Sequence, residues 1–216
     1  MRRIRLKMCG TTNLADALAA VEAGVDALGF IFHKRSPRCI EPQAARLIIE
    51  HLPPFVDTVG VVVDRNCEEV EEIIRCCSLN YVQLHGNESP EYCGVLARAA
   101  APCQLIKALR VGEHLRSEDI APYHPHVRGY LLDTYQKGQE GGTGKTFDWS
   151  LIPRLNLQRD FILAGGLDIG NVRAAIETVQ PYGLDINSGV EISPGRKDHE
   201  RIRAFVQKVR SLEGGL

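Results

Sequence analysis

Short apolar segments rich in β-branched residues alternate along the chain with longer amphipathic segments. The short segments predict eight β-strands, over residues 4–9, 26–32, 57–63, 81–85, 104–110, 128–133, 161–166 and 184–189. Apolar residues spaced along one helix face predict helices over residues 13–24, 41–52, 67–77, 90–100, 168–179 and 198–212. Pro and His interrupt the segment after the fifth strand, so the fifth helix is expected to be irregular or missing, and the sixth to be short.

The regular alternation of strands and helices predicts parallel strands joined by right-handed crossovers. Two α/β architectures fit this order: a (β/α)8 TIM barrel and an open, doubly wound sheet. Eight strands favour the barrel, although 216 residues lie near the lower end of its usual length. Because no linker or change of composition divides the chain, we expect a single-domain barrel over residues 1–216.

The composition narrows the class of partner. Hydrophobic residues make up 44% and charged residues 25% of the chain, and the formal net charge is -1. This balance gives no electrostatic sign of a nucleic-acid or membrane-surface partner, so a small molecule is the expected substrate. No apolar segment approaches the ~20 residues that span a bilayer, and the first ten residues lack a secretory apolar segment, so a cytoplasmic location is expected. The seven cysteines show no spacing that predicts a metal site.

In a (β/α)8 barrel the functional groups collect at the carboxyl ends of the strands and in the loops that follow them. This rule selects a set of polar and glycine positions in the chain: Cys9, Arg38, Asp64, His85, Lys107, Asp133, Gly165, Gly166, Ser188 and Gly189.

Strand alternation places Lys7 and Cys9 on the inward face of the first strand. Asp185 points inward from the eighth strand, which neighbours the first in a closed barrel, so an ion pair between Lys7 and Asp185 is expected. The cation beside Cys9 is expected to stabilise its thiolate relative to the usual pKa of about 8.5, which suits a general base or a nucleophile. A buried, unreactive thiol is the alternative.

The loops after the seventh and eighth strands form a candidate phosphate site. Gly165 and Gly166 allow backbone N–H groups to approach an anion, and Ser188 and Gly189 add a hydroxyl group and another glycine. The alternative is that these glycines are present only because the turns require their backbone conformation.

Asp133 ends the sixth strand and precedes a loop that contains GGTGKT. A carboxyl group here suits a general acid or base beneath a closing lid, although an Asp that only starts a turn is also common. GGTGKT resembles a nucleotide phosphate loop, but that motif requires Gly where the chain has Gln139, and it joins a strand directly to a helix. We therefore expect a lid that contacts substrate, including Gly142, with a nucleotide-binding module as the alternative.

Two further side chains follow the predicted strands. Arg38 lies behind Pro37 in the segment HKRSPR, and its planar guanidinium group matches a carboxylate in two hydrogen bonds. His85 ends the fourth strand and is expected either to contact the sugar of the substrate or to have a purely structural role.

An ordered set of segments resembles the phosphoribosylanthranilate isomerase family of tryptophan biosynthesis: KMCG, SPRCI, VGVVVD, VQLHG, LLDT with GGTGKTFDW, LAGGL and DINSGVEISPGRKDHERI. The resemblance implies a single-domain (β/α)8 barrel without a cofactor. It implies an Amadori rearrangement of N-(5-phosphoribosyl)anthranilate to 1-(2-carboxyphenylamino)-1-deoxyribulose 5-phosphate. We expect a monomer or a homodimer.

The resemblance also implies roles for individual residues. Cys9 corresponds to the general base, Asp133 to the general acid and Arg38 to the anthranilate contact, while the two glycine-containing loops correspond to the phosphate site. His85, Gly142 and Asp185 are expected to add substrate contacts. Ring opening requires a protonated Asp133, so a pKa raised by burial under the lid is expected. A histidine-pathway isomerase with two aspartates is the nearest alternative, and Cys9 argues against it.

Overall fold

The structure, a computed structural model, describes residues 3–112, 114–134 and 149–213, so the GGTGKT loop and Gly142 lie outside the described residues. Eight parallel strands form a closed barrel in chain order. They are β1 (Arg5–Met8), β2 (Ala27–Ile31), β3 (Asp57–Val62), β4 (Tyr81–Leu84), β5 (Gln104–Arg110), β6 (Gly129–Asp133), β7 (Phe161–Ala164) and β8 (Gly183–Ile186). Pairing of β1 with both β2 and β8 closes the sheet and confirms the predicted TIM barrel.

Helices surround the barrel. They are α1 (Leu14–Ala23), α2 (Pro42–Ile49), α3 (Cys67–Cys77), α4 (Pro90–Ala99), α5 (Ser117–Ile120), α6 (Val172–Val179) and α7 (His199–Glu213). Side chains of Asn13 and Ser89 accept hydrogen bonds from the first turns of α1 and α4, as expected of capping residues. Gly24 ends α1 with a φ of 99°, a left-handed conformation that favours glycine. No helix in the described part of the chain is long and apolar enough to cross a membrane.

The irregular part of the helical layer is where the sequence predicts it. After β5, a single turn, α5, is followed by a 3₁₀ turn over Ala121–Tyr123, and after β6 the described chain has 3₁₀ turns over Trp149–Leu151 and Pro153–Leu155. Three predicted boundaries are wrong by three or more residues: α2 ends at Ile49 rather than at residue 52, β8 ends at Ile186 rather than at residue 189, and α6 begins at Val172 rather than at residue 168. The Asp168 carboxylate accepts hydrogen bonds from the backbone N–H groups of Gly170 (2.8 Å) and Asn171 (3.0 Å), which holds these residues in a turn.

The strands divide their side chains between two environments. Outward-facing residues such as Leu6, Met8 and Leu84 are at most 1% exposed and pack beneath the helices. Inside the barrel, β5, β6 and β7 contribute a small apolar cluster: Ile106, Ala108, Leu131 and Ala164. By strand alternation, β1, β4 and β8 direct Lys7, Gln83 and Asp185 into the same interior, where all three are buried. The barrel interior therefore contains buried polar side chains as well as apolar ones.

Two short strands follow β8. They are β9 (Glu191–Ser193) and β10 (Arg196–Lys197), and they pair antiparallel outside the barrel. This hairpin returns the chain to the carboxyl-terminal rim of the barrel, next to Arg38 and α1.

Candidate active site

The predicted ion pair between Lys7 and Asp185 is confirmed. The two residues are directly opposite in the register of β1 and β8, and Lys7 Nζ lies 2.8 Å from Asp185 Oδ2. Both side chains are less than 10% exposed, at 4% and 7%. Asp185 Oδ1 has no hydrogen-bond partner among the described residues, so this carboxylate keeps one buried acceptor unused.

Cys9 directly follows β1, where its N–H group donates to the Ile186 carbonyl at 2.8 Å. Burial raises the pKa of the Cys9 thiol, and the positive charges of Lys7 and Lys197 only partly offset this, so the pKa remains above its ordinary value. The expectation that the cation beside Cys9 stabilises its thiolate relative to the usual pKa is therefore wrong. The physical reason is desolvation, which has the largest effect on this pKa. Lys7 and Lys197 are each also paired with a carboxylate.

Asp133 and His85 meet across the barrel rim. His85 Nε2 lies 3.3 Å from Asp133 Oδ2, and the two side chains are 25% and 20% exposed. On its other side, His85 Nδ1 lies 2.7 Å from the side-chain nitrogen of Gln83. Gln83 is missing from the residues selected from the sequence, although the same alternation that pairs Lys7 with Cys9 places Gln83 and His85 on one face of β4.

Arg38 is held by a carboxylate of the protein itself. Arg38 Nε donates to Glu191 Oε1 at 2.9 Å, and Nη2 donates to Oε2 at 2.6 Å. Glu191 also accepts from Lys197 Nζ at 3.0 Å and from the Gly195 N–H group at 3.1 Å. Burial raises the pKa of Glu191, but its hydrogen bonds with Arg38 and Lys197 outweigh burial and hold the pKa below the ordinary value. Sequence reasoning missed Glu191 and Lys197, whose only local signal is their place in the segment after β8.

Two of the rim residues that the sequence selects, Lys107 and Asp64, form hydrogen bonds with the loop after β4 and not with the barrel interior. Lys107 lies on the outward face of β5, and its Nζ donates to Glu88 Oε2 (2.9 Å) and to the Gly86 carbonyl (2.8 Å). Asp64 Oδ1 accepts from the Asn87 N–H group at 2.6 Å. These contacts fix the chain immediately after His85, so Lys107 and Asp64 support the site from outside the barrel.

The two glycine-containing loops lie next to each other, because β7 pairs with β8. Gly165 and Gly166 have φ values of 96° and 65°, a conformation that other residues rarely adopt. A Cβ atom on Gly166 would meet nothing within 4 Å, whereas one on Gly189 would lie 2.1 Å from the Leu167 carbonyl oxygen. Gly166 therefore leaves open space at the rim, and Gly189 allows the two loops to approach each other.

Comparison with known proteins agrees with this geometry. Residues 6–208 match the family model described as N-(5'phosphoribosyl)anthranilate (PRA) isomerase. The chain belongs to the N-(5'-phosphoribosyl)anthranilate isomerase family. A relative of that name from Pseudomonas fluorescens (strain SBW25) is 48% identical over 219 residues, which cover 100% of each chain.

Two solved structures of the isomerase family share the fold. One is phosphoribosyl anthranilate isomerase in complex with reduced 1-(o-carboxyphenylamino)-1-deoxyribulose 5-phosphate, with a TM-score of 0.81 and 40% identity, covering 96% of this chain and 99% of that chain. The other is described as mutually generated monomers of the dimeric isomerase from Thermotoga maritima. It has a TM-score of 0.81 and 38% identity, covering 99% of this chain and 100% of that chain.

Proposed function

We propose that this chain is a phosphoribosylanthranilate isomerase of tryptophan biosynthesis. Its reaction is the Amadori rearrangement of N-(5-phospho-β-D-ribosyl)anthranilate to 1-(2-carboxyphenylamino)-1-deoxy-D-ribulose 5-phosphate, without a cofactor. The observation that carries this proposal is that Cys9, directly after β1, and Asp133, at the end of β6, lie at the same rim of one closed barrel. An acid and a base on separate strands can reach different atoms of one sugar.

The reaction needs one proton donor and one proton acceptor. Asp133, protonated, gives a proton to the furanose ring oxygen as the C1–O bond breaks, which opens the ring to a protonated imine. Cys9 as thiolate then removes the C2 proton, and the resulting enolamine tautomerises to the ketone. The proton that Cys9 takes and the proton that Asp133 gives balance, so the reaction is an isomerisation without an external reagent.

The charges around Cys9 support its role as a base. Lys7 and Lys197 lower the thiol pKa, while burial raises it. The prediction of a protonated Asp133 belongs to the same proposal, because ring opening requires the neutral acid.

The substrate offers two anionic groups that the site matches. We assign the anthranilate carboxylate to Arg38, whose guanidinium plane is already fixed by Glu191. We assign the phosphate to Gly165, Gly166, Ser188 and Gly189, where open space next to Gly166 admits an anion. His85, Asp185 and Gly142 are assigned to the sugar and its linkage, and the unused Asp185 Oδ1 is an acceptor for a hydroxyl group.

The test is the fluorescence decay of phosphoribosylanthranilate, generated in situ from anthranilate and phosphoribosyl pyrophosphate. Wild-type protein should accelerate the decay, whereas Cys9→Ser and Asp133→Asn should each abolish it. Cys76→Ser on α3 and Asp57→Asn at the opposite end of the barrel are matched controls that should retain the activity. A wild-type chain that leaves the decay unchanged would refute the proposal.

We further propose a cytoplasmic homodimer that binds neither nucleic acid nor membrane. Its net charge of -1 offers no attraction to either polyanion. Phe55, in the loop before β3, is fully exposed and has a φ of 69°, an uncommon conformation for a bulky residue. It borders a cavity of about 740 Å³ at the amino-terminal end of the barrel. An exposed aromatic ring beside a cavity on one face suits a two-fold contact with a second copy of the chain.

A further inference from the structure

Gln83 lies inside the barrel, two residues before His85 on the same face of β4. Its side chain is buried, and the residue is 1% exposed. The side-chain nitrogen of Gln83 lies 2.7 Å from His85 Nδ1. An amide N–H group can only donate, so His85 Nδ1 must accept, and a neutral His85 then carries its hydrogen on Nε2.

The hydrogen on Nε2 points toward the proposed general acid. His85 Nε2 lies 3.3 Å from Asp133 Oδ2, so the Nε2–H tautomer donates to that oxygen. When Oδ2 accepts from His85, a protonated Asp133 must carry its proton on the other oxygen, Oδ1. The hydrogen bond therefore determines which carboxyl oxygen delivers the proton.

The opposite orientation of the Gln83 amide would have a different consequence. It would place Oε1 against His85 Nδ1 and require a hydrogen there. A neutral His85 would then direct a lone pair at Asp133 Oδ2, which repels a carboxylate and would place the proton of a neutral Asp133 on Oδ2 instead of Oδ1. In the orientation that the structure has, Gln83 Oε1 is buried without a partner among the described residues. The amide nitrogen of Gln83 therefore has a partner in His85, whereas the amide oxygen has none among the described residues.

We propose that Gln83 is a positioning residue that holds His85 as the Nε2–H tautomer and thereby sets the orientation and the proton-bearing oxygen of Asp133. The inference rests on the proposed isomerase function, because it gives Gln83 a part in the step that Asp133 performs. Gln83 acts through His85 and does not transfer a proton itself.

The first test is the tautomer of His85 in the wild-type protein. Long-range ¹H–¹⁵N NMR spectra of protein labelled with ¹⁵N-histidine distinguish Nδ1–H, Nε2–H and imidazolium forms, and a His85→Asn variant assigns the signals. At about pH 8, where an ordinary histidine is neutral, we expect the Nε2–H form. An Nδ1–H form in the wild-type protein overturns the inference.

The second test changes the partner of Nδ1. In Gln83→Glu, a carboxylate accepts from Nδ1–H, so His85 should change to the Nδ1–H form or to the imidazolium. In Gln83→Met, which has no donor, the tautomer preference should be lost. The wrong tautomer of a catalytic histidine lowers kcat by up to about 10⁴-fold, and since His85 is not itself the proton donor we expect losses of about 10- to 100-fold. KM should change less than kcat, because Arg38 and the two glycine-containing loops, which are assigned to the anionic groups of the substrate, remain.

Gln104→Met is the matched control, since Gln104 is the exposed first residue of the neighbouring strand β5. It should leave both the tautomer and kcat unchanged. Variants of Gln83 that keep the Nε2–H tautomer and wild-type kcat overturn the inference, while the isomerase function stands. Wild-type protein with the Nε2–H tautomer but no isomerase activity overturns the proposed function, and with it the part of Gln83 in the reaction.

Discussion

Arg38 and Glu191 form a two-pronged ion pair in which Nε–Oε1 and Nη2–Oε2 measure 2.9 and 2.6 Å, although 153 residues separate them in sequence. The Glu191 side chain is 4% exposed and that of Arg38 is 19% exposed. A guanidinium group held in one plane loses little conformational freedom when it binds a second carboxylate. The ion pair therefore preorganises the Arg38 side chain to bind the anthranilate carboxylate of the proposed substrate.

Glu191→Gln should weaken substrate binding more than it slows the chemical step. The amide cannot accept both Arg38 and Lys197 as a carboxylate does, so Arg38 loses its fixed orientation. We expect KM to rise about 10-fold, or ~1.4 kcal/mol, with a smaller change in kcat. Steady-state kinetics should show this split, and Glu200→Gln, at an exposed carboxylate on α7, should behave as wild type. An unchanged KM in Glu191→Gln would contradict the orienting role.

The raised pKa of Cys9 predicts the pH dependence of catalysis. The base must be deprotonated, and a raised pKa means that the thiolate fraction of the free enzyme is still increasing above neutral pH. We therefore expect kcat/KM to rise with pH from neutral toward the alkaline range. Lys197→Met removes one of the charges that lowers this pKa, so it should displace the rise to higher pH. The profile should also fall where Asp133 loses its proton, so a profile that Lys197→Met leaves unshifted would contradict Cys9 thiolate as the base.

Asp16 predicts a pH-dependent contribution to stability. Its carboxylate accepts from the Lys197 N–H group at 2.9 Å and from His199 Nε2 at 2.8 Å, which joins α1 to β10 and α7. Burial raises the pKa of Asp16, but these hydrogen bonds and one from Asn13 outweigh it and hold the pKa below the ordinary value. The stabilisation is therefore present above the unfolded pKa of about 3.9 and is lost as pH falls through the lower folded pKa.

Asp16→Asn should accordingly lower the free energy of unfolding at neutral pH by about 2 kcal/mol, the usual contribution of hydrogen bonds to a charged group. Urea unfolding across the acidic range should show the difference from wild type shrinking as the wild-type Asp16 becomes protonated. Glu22→Gln, at an exposed position of α1, is the control and should not alter stability at any pH. A constant difference at all pH values would show that charge is not the cause.

Phe55→Glu should convert the proposed homodimer into a monomer. A carboxylate in place of an exposed ring cannot enter an apolar contact without losing its hydration. Sedimentation velocity at matched concentrations measures the change, and Leu47→Glu, at another exposed apolar residue on α2, should leave the assembly intact. A wild-type chain that sediments as a monomer would remove the assembly proposal but not the isomerase function.

Much of the fold follows from local pattern. The eight predicted strands each overlap an observed strand, because the period-2 and helical repeats of apolar residues reflect burial against a neighbouring layer. Strand alternation also places Lys7, Cys9 and Asp185 in the barrel, and it correctly predicts the ion pair between β1 and β8. The boundary of α6 is wrong because the turn at Asp168 depends on side-chain hydrogen bonds within it.

The sequence by itself thus determined the barrel, the rim and the residue types that face it, since these depend on periods of a few residues. Only the tertiary structure decided that Glu191 holds Arg38, that Gln83 sets the tautomer of His85 and that Lys107 faces away from the interior. It also decided that burial raises the pKa of the Cys9 thiol by more than the two nearby cations lower it. These properties depend on distances between residues far apart in the chain and on exclusion of water, which no local spacing records.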